Sequence, residues 1–241
     1  MSGHSHWAGI KHKKGLEDKK RSKIFSKLNR MISIAAKAGT DPEINSKLKV
    51  AIEQAKSFNM PSDTIERAVK KAAGGQDATK LEEFLYEAIG PGKIAIIIEG
   101  ITDNKNRAML EIKQILNQRN GKFAQEGSLR WQFQQKGVVR ISLEDNPSIN
   151  KDDLELEAIE LGAENVIWRD DVLEIHTKPN DTEKLKNSFD GKNIKILSSE
   201  LEWIPNEEIS VSENDKTAAE KLFEALDDSE DVQNFYSNLK E

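Results

Sequence analysis

Cysteine is absent from the 241 residues, which removes disulfides, thiolate metal sites and cysteine nucleophiles and agrees with a reducing compartment. No window approaches 18 consecutive apolar residues, so no membrane span is expected, and charged residues stand where a signal peptide would place its apolar stretch. Aromatic residues are scarce at 6%, and hydrophobic content of 37% barely exceeds charged content of 32%. Cores of that composition are small and separate. The expectation is a soluble, cytoplasmic protein of two or three modest domains.

What is abundant is charge, and it is unevenly placed. The first 80 residues carry 17 Lys/Arg against 8 Asp/Glu, while the remaining 161 carry 19 against 34. The net charge of −6 therefore hides a basic head on an acidic body, a polarity that draws polyanions to one end. Nucleic acid is the partner this implies.

Residues 3–20 hold few apolar side chains and are expected to form an arm that cannot order itself through a core. Lys11, Lys13, Lys14, Lys19, Lys20, Arg21 and Lys23 supply phosphate-seeking charge there, and His6, Trp7 and His12 supply rings able to stack on unpaired bases. The plain alternative is a basic tail kept for solubility. His4 and His6 lack the neighbours that would complete a metal site, so no metal and no cofactor are expected.

Apolar residues Ile24, Leu28, Met31, Ile32 and Ala35 recur at helical spacing over 20–38, and on another face Lys23, Lys27, Arg30 and Lys37 follow at steps of four, three and seven. That cationic line is the expected nucleic-acid contact. Further helices are expected over 44–59 and 63–73, the last closed by Gly74-Gly75, giving a three-helix bundle. Neutralising Lys11, Lys13, Lys14, Lys23, Lys27 and Arg30 together is expected to lower nucleic-acid affinity without changing the melting temperature.

From residue 81 the period changes. Strands are expected over 84–89 and 94–98 around Gly90-Pro91-Gly92, then a helix from Asp103 or Asn104 to about residue 119, then a strand over 129–133. Lys105 and Arg107 at the start of that helix form a second candidate anion contact. Strands over 138–143, 165–168, 172–177 and 194–203 alternate with helices over 152–161 and 181–189 in the split β-α-β-β-α-β order. A helix over 217–226, the acidic run at 227–231 and an apolar segment over 232–236 are expected to return to the first sheet. Trp131, Phe133, Trp168 and Trp203 read as packing residues rather than stacking platforms.

The runs GHSHW (3–7), IKHKK (10–14), KRSKIFSKL (20–28), NMPSDTIERAVKKA (59–72), YEAIGPG (86–92), TDNKNR (102–107), GSLRWQF (127–133) and DVQNFYSN (231–238) resemble the YebC/PmpR-like proteins, nearly end to end and in family order. The resemblance implies a multidomain α+β protein: a basic arm over 1–20, a three-helix bundle over 21–79, a middle α+β domain from 80–136 and 205–241, and a ferredoxin-like domain over 137–204 inserted into it. It also implies a non-enzymatic regulator of gene expression, either DNA-binding in transcription or ribosome-associated in translation, relieving stalling at proline-rich stretches. The expected partners are DNA or ribosomal or transfer RNA, for a monomer with no membrane contact. Two other classes stay open at this point. One is a scaffold binding a basic partner through 227–231. The other is a metal-dependent hydrolase using Glu99, Asp103 and Glu126.

Overall fold

The computed structural model describes residues 18–74 and 80–240, with the side chains of 18–20 and 73 left aside. The arm residues His6, Trp7, Lys11, His12, Lys13 and Lys14 lie outside the described residues. The chain is a mixed α+β protein with seven α-helices and two antiparallel sheets among the described residues, divided into two compact units: Trp131–Glu207, and the chain on either side of it.

The first unit begins with three helices, α1 (Asp18–Ala35), α2 (Ser46–Ser57) and α3 (Ser62–Ala73). The apolar stripe of α1, with Ile24, Leu28 and Ile32 buried, meets Leu48, Ala51 and Ala55 of α2 and Ile65 and Ala68 of α3. Asn45 caps α2 by accepting from the Leu48 N–H, and its amide also donates to Ala35 and Gly39, tying the end of α1 to the start of α2.

Strands β1 (Glu82–Ile89) and β2 (Ala95–Thr102) form the expected hairpin, followed by α4 (Lys105–Asn117) and the two-residue strand β3 (Lys122–Phe123). Asn104, rather than Asp103, caps α4 through the Arg107 N–H. After the second unit the chain returns through α7 (Glu213–Asp228) and β8 (Val232–Ser237), and β8 pairs with β2, so the tail rejoins the first sheet in the order β3-β1-β2-β8. One face of this sheet is covered by α4 and α7 over Phe84, Ile96, Ile98, Ile112, Leu116 and Leu222.

The second unit holds β4 (Phe133–Ser142), α5 (Lys151–Glu160), β5 (Asn165–Arg169), β6 (Val172–Thr177), α6 (Thr182–Gly191) and β7 (Ser198–Pro205). Its sheet order β5-β6-β4-β7 is the ferredoxin-like arrangement. Val139, Ile141, Leu173 and Ile175 point to α5 and α6. The residues alternating with them carry charge. Arg140 forms two hydrogen bonds to Glu202 at 2.5 and 3.0 Å and one to Glu174 at 2.8 Å, and His176 bonds Glu174 at 2.9 Å, all in a buried patch.

Three expectations need correcting. The strand read over 129–133 is a single tight helical turn at Arg130–Gln132, with β4 starting only at Phe133. The buried Glu87 carboxylate accepts from the backbone N–H groups of Gly127, Leu129 and Arg130, so that segment is held by a side chain instead of a strand ladder. Trp131, read as packing, is 71% exposed, whereas Phe133 is buried. The last strand of the second unit starts at Ser198 instead of 194, because Ile194 turns inward beneath α6.

Candidate nucleic-acid interface

The cationic line of α1 exists as the helical spacing requires, but each of its first three members meets a carboxylate from the acidic run 227–231. Lys23 bonds Asp228, and Lys27 donates to the Asp227 carbonyl at 2.9 Å and to its carboxylate at 3.1 Å. Arg30 donates to the Ile101 carbonyl at 2.9 Å, bonds the Asp231 carboxylate and reaches Glu230 at 3.4 Å. Lys27 is only 3% exposed, and burial lowers the pKa of its ammonium against the opposing pull of Asp227. The acidic run read as a solvated loop or a site for a basic partner instead bonds the chain's own first helix.

Gly100 makes this seam possible. A Cβ there would stand 2.2 Å from both the Asp231 carbonyl and the Phe84 ring, so only glycine lets the acidic run lie against β2, where the Ile101 N–H donates to Asp231 at 2.9 Å. Asp231, itself 3% exposed, also receives Arg107 at 3.0 and 3.2 Å. Arg107 further pairs with Asp103 at 2.8 Å, and Lys105 pairs with Glu82 at 3.0 Å. The helix start expected to hold an anion thus holds protein carboxylates.

Lys37 donates to the Leu81 carbonyl at 2.5 Å. Arg21 is exposed and lies 5.5 Å from the centre of the Phe25 ring. The backbone of Lys19 and Lys20 belongs to α1. A combined replacement that includes Lys23, Lys27 and Arg30 therefore removes the seam as well as charge, so the expected unchanged melting does not apply to that set.

A cleft of about 610 Å³ opens between α1 and α3. From α1 it takes Ser26, Asn29, Arg30 and Ser33, at the steps of one helix face. From α3 it takes Thr64, Arg67, Ala68 and Lys71, again one face, and Lys80, Leu81 and Asp103 close an end. Among the described residues, four cations and four hydroxyl or amide side chains thus line it against one carboxylate. Sequence reading missed Arg67, Lys71 and Lys80. The i, i+4 pair Arg67/Lys71 was the available signal, but it names a face only once α1 is known to stand opposite.

Residues 5–75 match the family model described as the TACO1/YebC protein N-terminal domain, and residues 81–239 match the model for the TACO1/YebC second and third domain. The chain belongs to the TACO1/YebC family. It is 43% identical over 243 residues to a "Probable transcriptional regulatory protein" of Halothermothrix orenii, covering 99% of this chain and 95% of the relative. It is 44% identical to one of the same description from Caldanaerobacter subterraneus, covering 100% and 98%. The crystal structure of a conserved hypothetical protein from Aquifex aeolicus superposes with a TM-score of 0.88 at 35% identity, over 98% of this chain and 96% of that one. Among the described residues no three His, Asp or Glu side chains group as a metal site, and no helix is long and apolar enough to cross a membrane.

Proposed function

We propose that this protein is a nucleic-acid-binding, non-enzymatic regulator of gene expression whose target is RNA, acting as a monomer in the cytoplasm at the translating ribosome. The observation that carries this reading is the cationic surface of the bundle. Although α1 spends Lys23, Lys27 and Arg30 on the seam, Arg21, Lys56, Arg67, Lys70 and Lys71 remain exposed in a protein whose total charge is negative. Such a surface binds phosphate by releasing counterions and carries no base code of its own.

Duplex DNA is the second reading, favoured by the printed description of the relatives as probable transcriptional regulatory proteins. The α2-turn-α3 pair has the connection length of a DNA-reading motif. In that motif the first residues of the second helix meet the base edges, and here those residues are Ser62, Asp63 and Glu66, with Arg67 drawn back to Asp63 at 2.9 Å. Carboxylates at that end repel the phosphates flanking a groove. RNA presented as unpaired strands makes no such demand.

Competition binding at physiological salt tests the choice. RNA is expected to displace random duplex DNA, with affinity falling steeply as salt rises. A defined promoter held roughly a thousandfold more tightly than random duplex, the margin of a specific DNA reader, would overturn the RNA reading.

A further inference from the structure

We infer that the cleft between α1 and α3 is a binding site for the sugar-phosphate backbone of single-stranded RNA, an assignment that rests on the nucleic-acid reading above and narrows it to one place. Its volume of about 610 Å³ falls within the roughly 300–1,000 Å³ of small-ligand sites, room for one or two nucleotide units. A duplex, convex and stiff, reaches only the rim of such a concavity, whereas a single strand can thread it.

The lining matches that occupant. Arg30 stands on one wall, held by the Ile101 carbonyl with its charge met by Asp231, so it shapes that wall and leaves the contact with phosphate to Arg67, Lys71 and Lys80. Arg67 and Lys71 stand on the opposite wall one helical turn apart, a spacing of about 6 Å along an α-helix, and the pair Arg67 makes with Asp63, both side chains 72% exposed, is a screened one that a phosphate can displace. Ser26, Asn29 and Ser33 run along the α1 wall and can pair with a ribose 2′-hydroxyl, the group that distinguishes RNA from DNA. Among the described residues no aromatic ring lines the cleft, so its walls hold the backbone and not the bases, and binding through them is indifferent to sequence.

The test uses the full chain with Arg67→Gln and Lys71→Gln together. Arg67 lies 72% exposed and Lys71 is also exposed, so melting is expected to be unchanged. Binding of a short unstructured RNA oligonucleotide should weaken roughly tenfold at physiological salt, and the slope of log K against log salt should fall by about 1.4, two phosphates at about 0.7 each. Lys47→Gln with Lys49→Gln, which removes equal charge from α2, should change affinity less than roughly threefold. A DNA oligonucleotide of the same sequence should bind more weakly than the RNA.

An equal loss from the α2 pair would overturn the cleft assignment, as would stronger binding of duplex than of single strand. So would competition by poly-glutamate as effective as RNA of the same charge, which would make the cleft a site for acidic protein. If the native chain binds RNA and the cleft pair leaves it unaffected, the cleft fails alone; if the native chain binds no RNA, the functional reading fails with it.

Discussion

In the α1 seam, Lys23, Lys27, Arg30 and Arg107 meet Asp227, Asp228, Glu230 and Asp231 at a surface where the side-chain exposures run from 3% to 71%. In the second sheet, Arg140 meets Glu174 and Glu202 where none of the three side chains is more than 5% exposed. Both join oppositely charged residues far apart in the chain, but solvent changes what each is worth. The wet pairs of the seam are screened and individually weak, and its buried end holds Lys27 against Asp227 and Arg30 and Arg107 against Asp231. The dry knot is costly to form and more costly to break, because removing one partner strands the others without water.

Arg140→Ala should give the largest effect, a loss of about 3–5 kcal/mol from the second unit, because two buried carboxylates lose their counter-ion. Amide exchange across β4 and β6 reads it, and protection equal to that of the native chain would refute the knot. Asp231→Ala comes next, at about 2–3 kcal/mol, since Arg30 and Arg107 lose one shared partner while keeping some solvent. A melt unchanged by that replacement would mean the seam is ornamental.

The knot also titrates. Burial pushes the Glu202 carboxyl up to about 7, against the pull of Arg140. Burial likewise opposes ionisation of Glu174, but the His176 hydrogen bond and the Arg140 charge outweigh it and hold that carboxyl at about 2. A raised carboxyl stabilises the fold below its unfolded value near 4.5 and loses that contribution as pH rises toward 7, while Glu174 stabilises above 4.5 and loses its contribution as pH falls toward 2. The second unit should therefore resist exchange best near pH 5 and weaken toward neutrality. A Glu202→Gln chain that retains the native decline would contradict the assignment. The smallest effect belongs to Asp228→Asn, whose partner Lys23 is 43% exposed, and it should cost under about 0.5 kcal/mol in chemical denaturation. A cost near that of Asp231→Ala would erase the contrast between wet and dry ends of the seam.

The helical spacing of Ile24, Leu28 and Ile32 made α1 and its buried stripe readable, and the Gly90-Pro91-Gly92 turn made the β1-β2 hairpin readable. The purpose of Lys27 was not, because its partner Asp227 lies 200 residues away and no local pattern announces a pairing over that distance. The segment 129–133 alternates like a strand, but Glu87 captures its backbone donors from a neighbouring element. The cleft was hidden for a similar reason: Arg67 and Lys71 look like a solvated face until α1 supplies the second wall. Local period reveals which face of a helix is charged; tertiary contact decides whether that charge meets protein or ligand.

In the proposed division, Lys23, Lys27 and Arg30 serve packing in the seam while Arg67, Lys71 and Lys80 of the cleft serve the polyanion. Amine acetylation of the folded chain, read residue by residue with and without single-stranded RNA, separates the two sets. Lys27 should stay unreactive in both conditions, and Lys71 and Lys80 should react in the free protein and be shielded by RNA. Ready acetylation of Lys27 in the free chain that RNA then suppresses, with Lys71 and Lys80 indifferent, would put the polyanion on the seam and leave the cleft without a ligand.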